Sequence, residues 1–429
     1  MTYSLYFHIP FCTHRCAYCD FNTYDRQEHL IPAYVQALCR EIEIVGSRFP
    51  GSQGVGERAE GVHTIFFGGG TPSLLNPAQF EQILKTVRDN FDISDLSDLS
   101  DIETSLEANP GTVNLDSLQG LRRAGFNRIS FGVQSFDPGE LRQLERIHDP
   151  FDVLNAVSWA RRAGFDNLNL DLIYGLPEQT LSRWQVNLQQ AVGLAPQHLS
   201  LYALTIEQGT PYGRWAGHGL LPIPDPDLAA DMYEWASEYL EGQGYEQYEI
   251  SNWARPGFQC RHNLQYWRNQ PYLGFGAGAH GCANSLRVSN VLRIKTYIDR
   301  LSPGAYPHAL SSLASPSPLS PDPLFSALSF PLSPVTVTQT SLTPFIEMQE
   351  TMMLGLRLTQ AGVSVQAFRQ RFGQELTDVF GKEIDELIGL GLLEWSRMQT
   401  SEVSKTSEVI RITRRGRLLG NQVFLRFVD

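Results

Sequence analysis

Cysteine is scarce in this chain, six among 429 residues, and three of the six, Cys39, Cys260 and Cys282, are scattered. That argues against a disulfide-built secreted domain, and no secretory leader is legible at Met1. No run approaches eighteen apolar residues, which excludes a membrane-spanning helix. Positive charge is in deficit too. Lys and Arg number 34 against 46 Asp and Glu, and a formal charge of −12 leaves no basic footprint for nucleic acid. The expectation is a soluble, cytoplasmic protein of a reducing compartment. Its length and its 42% hydrophobic content suit a large catalytic core with a smaller appendage.

The other three cysteines stand together in Phe11-Cys-Thr-His-Arg-Cys-Ala-Tyr-Cys-Asp20, a C-x3-C-x2-C triplet just past a short apolar segment. Three thiolates can hold three irons of a four-iron cluster and leave the fourth iron open to a chelating small molecule, which suits chemistry rather than electron carriage alone. A structural zinc site is the competing reading. It wants four closed ligands, and the chain has no second C-x2-C pair, while His14 is poorly placed to complete a tetrahedron.

Short β-rich runs alternate with amphipathic stretches up to about residue 245. The expected strands are Leu5–Ile9, His63–Phe67, Glu103–Glu107, Arg128–Val133, Asn167–Ile173 and His198–Leu204. The expected helices are Ile31–Val45, Pro77–Asn90, Leu115–Ala124, Leu141–Ile147, Asp152–Ala163, Leu181–Val192 and Leu228–Glu241, with Asn76 and Pro77 as a cap pair and Gly125 and Gly164 as stops. Six such units predict an α/β fold, a partial (β/α)6 barrel open on one side. Two stretches read as excursions: Ser302 to Pro344, rich in Ser and Pro, and the acidic loop Asp92 to Asp101.

In such barrels function gathers at the C-terminal ends of the strands. The cysteine loop follows the first strand, Gly68-Gly69-Gly70-Thr71-Pro72 the second, Glu107 ends the third, Gln134 follows the fourth, and Asp171 lies near the end of the fifth. Each has a plain alternative. A glycine run can be only a tight turn, Gln134 alone is noise, and Arg146, expected on a helix, could be a solvated charge. Against that, bare backbone lets a ligand's ammonium or carboxylate come close, and Glu107 and Asp171 among apolar neighbours call for partners.

With these residues set out, the chain resembles the radical S-adenosylmethionine (SAM) superfamily. Within it the likeness is to the group holding oxygen-independent coproporphyrinogen III oxidase and its heme chaperone relatives. Tyr-Phe-His-Ile-Pro-Phe-Cys, Phe-Gly-Gly-Gly-Thr-Pro, Ser-Phe-Gly-Val-Gln-Ser-Phe and Asp-Leu-Ile-Tyr-Gly-Leu-Pro carry it, from Tyr3 to about Gly281 and again from Glu347. The resemblance implies that Cys12, Cys16 and Cys19 ligate a [4Fe-4S] cluster whose fourth iron SAM chelates. Tyr6, Gly69 and Glu107 then contact SAM; Gly70, Thr71, Gln134, Arg146 and Asp171 complete the pocket, and Tyr18 lies against the cluster. One or two SAM molecules are both compatible with it. It further implies one-electron cleavage of SAM to methionine and a 5′-deoxyadenosyl radical.

Two departures from the oxidase point to the chaperone type. The oxidase has a further cysteine where Phe21 stands, and it has an extension ahead of its first strand. His262-Asn263-Leu264-Gln265-Tyr266-Trp267 matches the H-N-x-x-Y-W motif implicated in heme binding by that type. An imidazole can be an axial iron ligand, and Tyr266 and Trp267 offer flat surface and donors to a porphyrin. Taken alone, a Tyr-Trp pair mostly packs a core, a lone His is mostly satisfied locally, and Cys260 is an alternative ligand.

From Glu347 to Phe372 and from Leu376 to Leu390 the pattern is helical. A strand pair follows near Leu392–Trp395 and Val409–Ile412, with a last helix after Arg414, as in a winged-helix-like module. The basic cluster Arg411, Arg414, Arg415 and Arg417 is too short to outweigh an acidic chain. The expected divisions are residues 1–245 for the barrel, 246–301 for an extension with the heme motif, 302–344 for an insertion and 345–429 for the C-terminal module. The expected function is binding heme and passing it to an acceptor protein, a membrane-associated acceptor included, with an electron donor for the cluster and a homodimer open. A radical oxidase acting on coproporphyrinogen III or a related tetrapyrrole is the alternative.

Overall fold

Strict alternation builds the central sheet. In Tyr3–Ile9 (β1), Leu5, Phe7 and Ile9 are fully buried on the face that meets the helices, while Ser4, Tyr6 and His8 take the inner face, the two-residue period of a strand. The computed structural model describes residues 3–47, 61–91, 102–303, 333–399 and 406–428. Strands Val62–Gly69 (β2), Glu103–Ala108 (β3), Arg128–Gln134 (β4), Asn167–Tyr174 (β5) and His198–Ala203 (β6) follow β1 in a parallel array of that order. Tyr272–Phe275 pairs parallel with the free side of β1. His280–Ala283, Leu286–Asn290 and Thr336–Ser341 continue antiparallel from it. Asn252–Ala254 and Glu246–Glu249 close the flank beyond β6, making a twelve-stranded sheet among the described residues.

Helices Ile31–Gly46 (α1), Pro77–Asn90 (α2), Leu115–Ala124 (α3), Pro138–Gln143 (α4), Pro150–Arg162 (α5) and Leu181–Gly193 (α6) connect the parallel strands. Their starts are local decisions. Asn76, Asn114 and Asp149 each accept from the third helical amide in a capping box, and Pro77 and Pro150 occupy the first turn. Gly125 ends α3 at φ +115°, a conformation costly for any residue with a side chain. The layer between sheet and helices is aromatic: Phe67 stacks on Phe7 at 4.7 Å and meets Phe80 at 5.2 Å and Phe126 at 5.4 Å. Each such fully buried ring contributes roughly 1.5–3 kcal/mol by leaving water.

The six strands and most helices lie where the periodicity places them. Three expectations are corrected. The helix expected over Leu141–Ile147 is instead Pro138–Gln143, because Asp137 caps it and Glu145 at φ +54° breaks the turn, so Arg146 lies in a loop. The helical run from Glu347 to Phe372 is two helices, Pro344–Gly355 and Val365–Phe372, parted by a loop with Gly362 at φ +55°. Ser302 to Pro344 is not wholly an excursion, since Thr336–Ser341 joins the sheet through the backbone of Leu286–Asn290. Residues 304–332 and the acidic loop Asp92 to Asp101 lie outside the described residues.

The C-terminal module holds its own core of Met352, Phe368, Phe380, Ile384, Ile410 and Phe424 under a three-stranded sheet of Val363–Ser364, Thr406–Ile412 and Leu393–Gln399. It is tied to the barrel side through Glu249, Trp267 and Asn269. Arg357 sits over the Trp267 ring at 4.4 Å and 3.6 Å from the buried Glu249 carboxylate. Asn269 donates to Thr351 Oγ1 at 3.1 Å, and Arg371 donates to the Asn269 carbonyl at 2.7 Å.

Candidate cofactor cavity and the His262 helix

The loops at the C-terminal ends of β1 and β2 are stitched to each other before any cofactor enters. The amides of Gly70 and Thr71 donate to the carbonyls of Ile9 and Phe11 at 2.9 and 2.7 Å. A Cβ on Gly70 would stand 2.5 Å from the Phe11 oxygen and 3.1 Å from Cys12 Sγ, so only glycine permits this approach. His8 pins the cysteine loop from below, with Nε2 at 2.9 Å from the Asn22 carbonyl and Nδ1 at 3.0 Å from the Tyr6 hydroxyl.

Cys12, Cys16 and Cys19 line one cavity of about 380 Å³ together with Tyr18, Gly69, Gly70, Thr71, Glu107, Gln134, Arg146 and Asp171. Every residue expected around the cluster and SAM is there except Tyr6, which is not on the lining and instead stacks on Phe66. The Thr71 hydroxyl donates to Cys12 Sγ at 3.7 Å, and Arg146 Nη1 to Cys16 Sγ at 3.6 Å. Among the described residues no three His, Cys, Asp or Glu side chains converge as a single metal ion requires. Three thiols share this one cavity, and thiolates are the ligands iron–sulfur clusters take.

The same lining carries two half-buried carboxyls. Glu107 accepts from the Gly69 amide at 3.1 Å, yet burial and the neighbouring Asp171 carboxylate push its carboxyl up to about 7. Burial also raises Asp171, against hydrogen bonds from Ser130 at 2.8 Å and Asn169 at 2.7 Å. Two carboxyls that resist ionising together call for a cation, while Arg146, whose Nε has no acceptor among the described residues, offers a partner to a carboxylate. SAM carries a sulfonium and an ammonium at one end of this polarity and a carboxylate at the other. The residues present therefore fit both groups.

The H-N-x-x-Y-W segment lies elsewhere. Helix Arg261–Trp267 carries His262 into the floor of the barrel, 1% exposed, where its ring stacks on Phe66 at 5.0 Å. Nδ1 is 2.9 Å from Thr64 Oγ1 and Nε2 is 3.0 Å from the Tyr266 hydroxyl. Burial pushes the imidazole down to about 3, so it is neutral at physiological pH with both nitrogens engaged. Asn263 and Tyr266 are half-buried on the same helix, and Trp267 ends it under Arg357. Cys260 is fully buried and donates to Glu103 at 3.4 Å.

Sequence reading missed the polar interior joining these two regions. Asp171, Asn169, His198 and Tyr248 form a hydrogen-bonded chain, with His198 at 2.6 Å from Asn169 and 2.8 Å from Tyr248, whose hydroxyl accepts from the Cys260 amide at 3.4 Å. Glu103 accepts the amides of Arg261 and His262 at 2.9 and 3.0 Å. The signal was available: Glu103, Arg128, Ser130, Asn169, Asp171, His198 and Ser200 all occupy inward positions of strands whose outward positions, Thr104 apart, are apolar.

Comparison with known proteins agrees with this geometry. Residues 6–190 match the radical SAM superfamily and residues 330–398 the HemN C-terminal domain. The chain is 35% identical over 429 residues to the heme chaperone HemW of Bacillus subtilis, covering 99% of each. It is 43% identical over 279 residues to the heme chaperone HemW of Escherichia coli, covering 65% of this chain and 69% of that one. Among solved structures it is similar to coproporphyrinogen III oxidase (HemN) from Escherichia coli, a radical SAM enzyme. The TM-score there is 0.75 at 25% identity, over 99% of this chain and 90% of that one.

Proposed function

We propose that this chain, which belongs to the heme chaperone HemW family within the radical SAM superfamily, binds heme and passes it to an acceptor protein. The end-to-end likeness to the Bacillus subtilis heme chaperone carries the reading. Phe21, 62% exposed where the oxidase type has a further cysteine, supports it over tetrapyrrole oxidation. Cys12, Cys16 and Cys19 hold the [4Fe-4S] cluster, with Arg146 offsetting the thiolates' charge. Glu107 and Asp171 hold the cationic groups of SAM, and Gly69, Gly70, Thr71 and Gln134 shape its pocket; Tyr6 supports it and Tyr18 closes the cluster side. The cluster, when bound, supplies one-electron reducing power toward the SAM sulfonium.

His262, Asn263, Tyr266 and Trp267 form the heme-binding element. The neutral imidazole of His262 is electronically fit to ligate iron, but both nitrogens are engaged. Axial ligation therefore requires one of the two nitrogens to be freed, by release of either Thr64 or Tyr266. An electron donor, an acceptor that can be membrane-associated, a homodimeric state and a cytoplasmic location belong to the same reading. No helix of the described residues is long and apolar enough to cross a membrane.

Anaerobic titration of the cluster-reconstituted protein with heme, followed by absorbance, tests the proposal. Saturable binding near one heme per chain, weakened in His262→Ala, is expected. Absent binding, together with 5′-deoxyadenosine released in step with an altered tetrapyrrole, would replace it with the oxidase reading.

A further inference from the structure

We infer that heme docks first in a second cavity, between the Trp267 end of the motif helix and the C-terminal module, with its propionates on Arg268. This rests on the heme-chaperone reading and gives the cargo a place that the sealed His262 does not. The cavity measures about 340 Å³, and its walls are Trp267, Leu358, Val363, Phe368 and Phe372. That volume is at the small end for a cofactor site, so the macrocycle enters edge-first and leaves part of its rim outside, as a cargo to be handed on requires.

Charge complementarity selects a dicarboxylate porphyrin over a purely apolar occupant. Arg268 lines the cavity and is exposed, and among the described residues its guanidinium has no hydrogen bond or ion pair. Arg371 stands on the same lining, shared between the Asn269 carbonyl at 2.7 Å and Glu347 at 3.6 Å. Trp267 Nε1 is buried with no acceptor among the described residues. The cofactor cavity is a poorer berth, since Glu107 and Asp171 on its lining give a propionate no cation to meet. His262 and Trp267 are five residues apart on one helix, about 7.5 Å along its axis. A heme in the groove is accordingly not ligated by His262 until the helix rearranges.

The test is an anaerobic heme titration of the full, cluster-loaded chain as wild type, Arg268→Glu and Ala367→Trp. Both positions are exposed, and cluster absorbance and far-ultraviolet circular dichroism confirm folding. Wild type is also titrated with heme dimethyl ester, whose propionates are capped. Expected is an affinity loss of about tenfold or more in each variant and with the ester, with the ester binding Arg268→Glu no more weakly than it binds wild type. Unchanged affinity for heme in both variants would place the cargo elsewhere and leave the chaperone reading intact. Failure of wild type to bind heme at all would overturn the chaperone reading and the groove with it.

Discussion

Glu107→Gln should make the cluster-free chain more stable at pH 8 and only about a quarter as much so at pH 5. The Glu107 carboxyl is raised from 4.5 to about 7 in the folded protein, first by burial and then by Asp171. Between those two values the unfolded chain has released its proton and the folded chain still holds it. Stability therefore falls as pH rises through this window, and the penalty is complete above about pH 7. The shift corresponds to about 3 kcal/mol. That figure is a ceiling, because Glu107 lines an open cavity and keeps part of its surface toward solvent. Glutamine keeps an oxygen for the Gly69 amide, so the exchange removes the charge with little loss of hydrogen bonding. Glu41, raised to a similar value, contributes its own slope to both proteins and cancels in the comparison. Urea unfolding followed by circular dichroism at pH 5 and pH 8 reads the difference. Identical pH slopes in the two proteins would refute the argument that Glu107 is held against its charge. In the cluster-loaded protein the same carboxyl should ionise on meeting a cation, so SAM affinity should rise with pH through about 7 in wild type and be weaker and flatter in the variant.

Cys16→Ala should reconstitute without a stable [4Fe-4S] cluster, whereas Cys282→Ala, away from the cofactor cavity, should load as wild type does; iron and sulfide content and visible absorbance check both. Arg357→Leu should cost roughly 2–4 kcal/mol, because it leaves Glu249 without its cation at full burial and bares the Trp267 ring. Faster proteolysis of the C-terminal module at unchanged cluster content is the expected sign, and an unaltered cleavage rate would count against the contact as a tie between the two parts.

The sequence alone determined what depends on neighbours in the chain. Two-residue alternation set the six parallel strands, Asn76, Asn114 and Asp149 set helix starts, and the spacing of Cys12, Cys16 and Cys19 marked one loop as the candidate for metal binding. These signals act within a few residues, so they survive without any knowledge of the fold. Tertiary structure decided whatever depends on approach across the chain. Gly70 matters because Cys12 and Phe11 come to lie against it. Glu107 is raised because β5 brings Asp171 beside it. Arg146 faces Cys16 from a loop that the periodicity assigned to a helix. The sharpest case is His262. Its motif reads as an open ligand in the sequence, yet Thr64 from β2 and Tyr266 from its own helix take both ring nitrogens inside the barrel floor. Whether a buried imidazole is free is settled by partners nearly two hundred residues away as much as by its own motif.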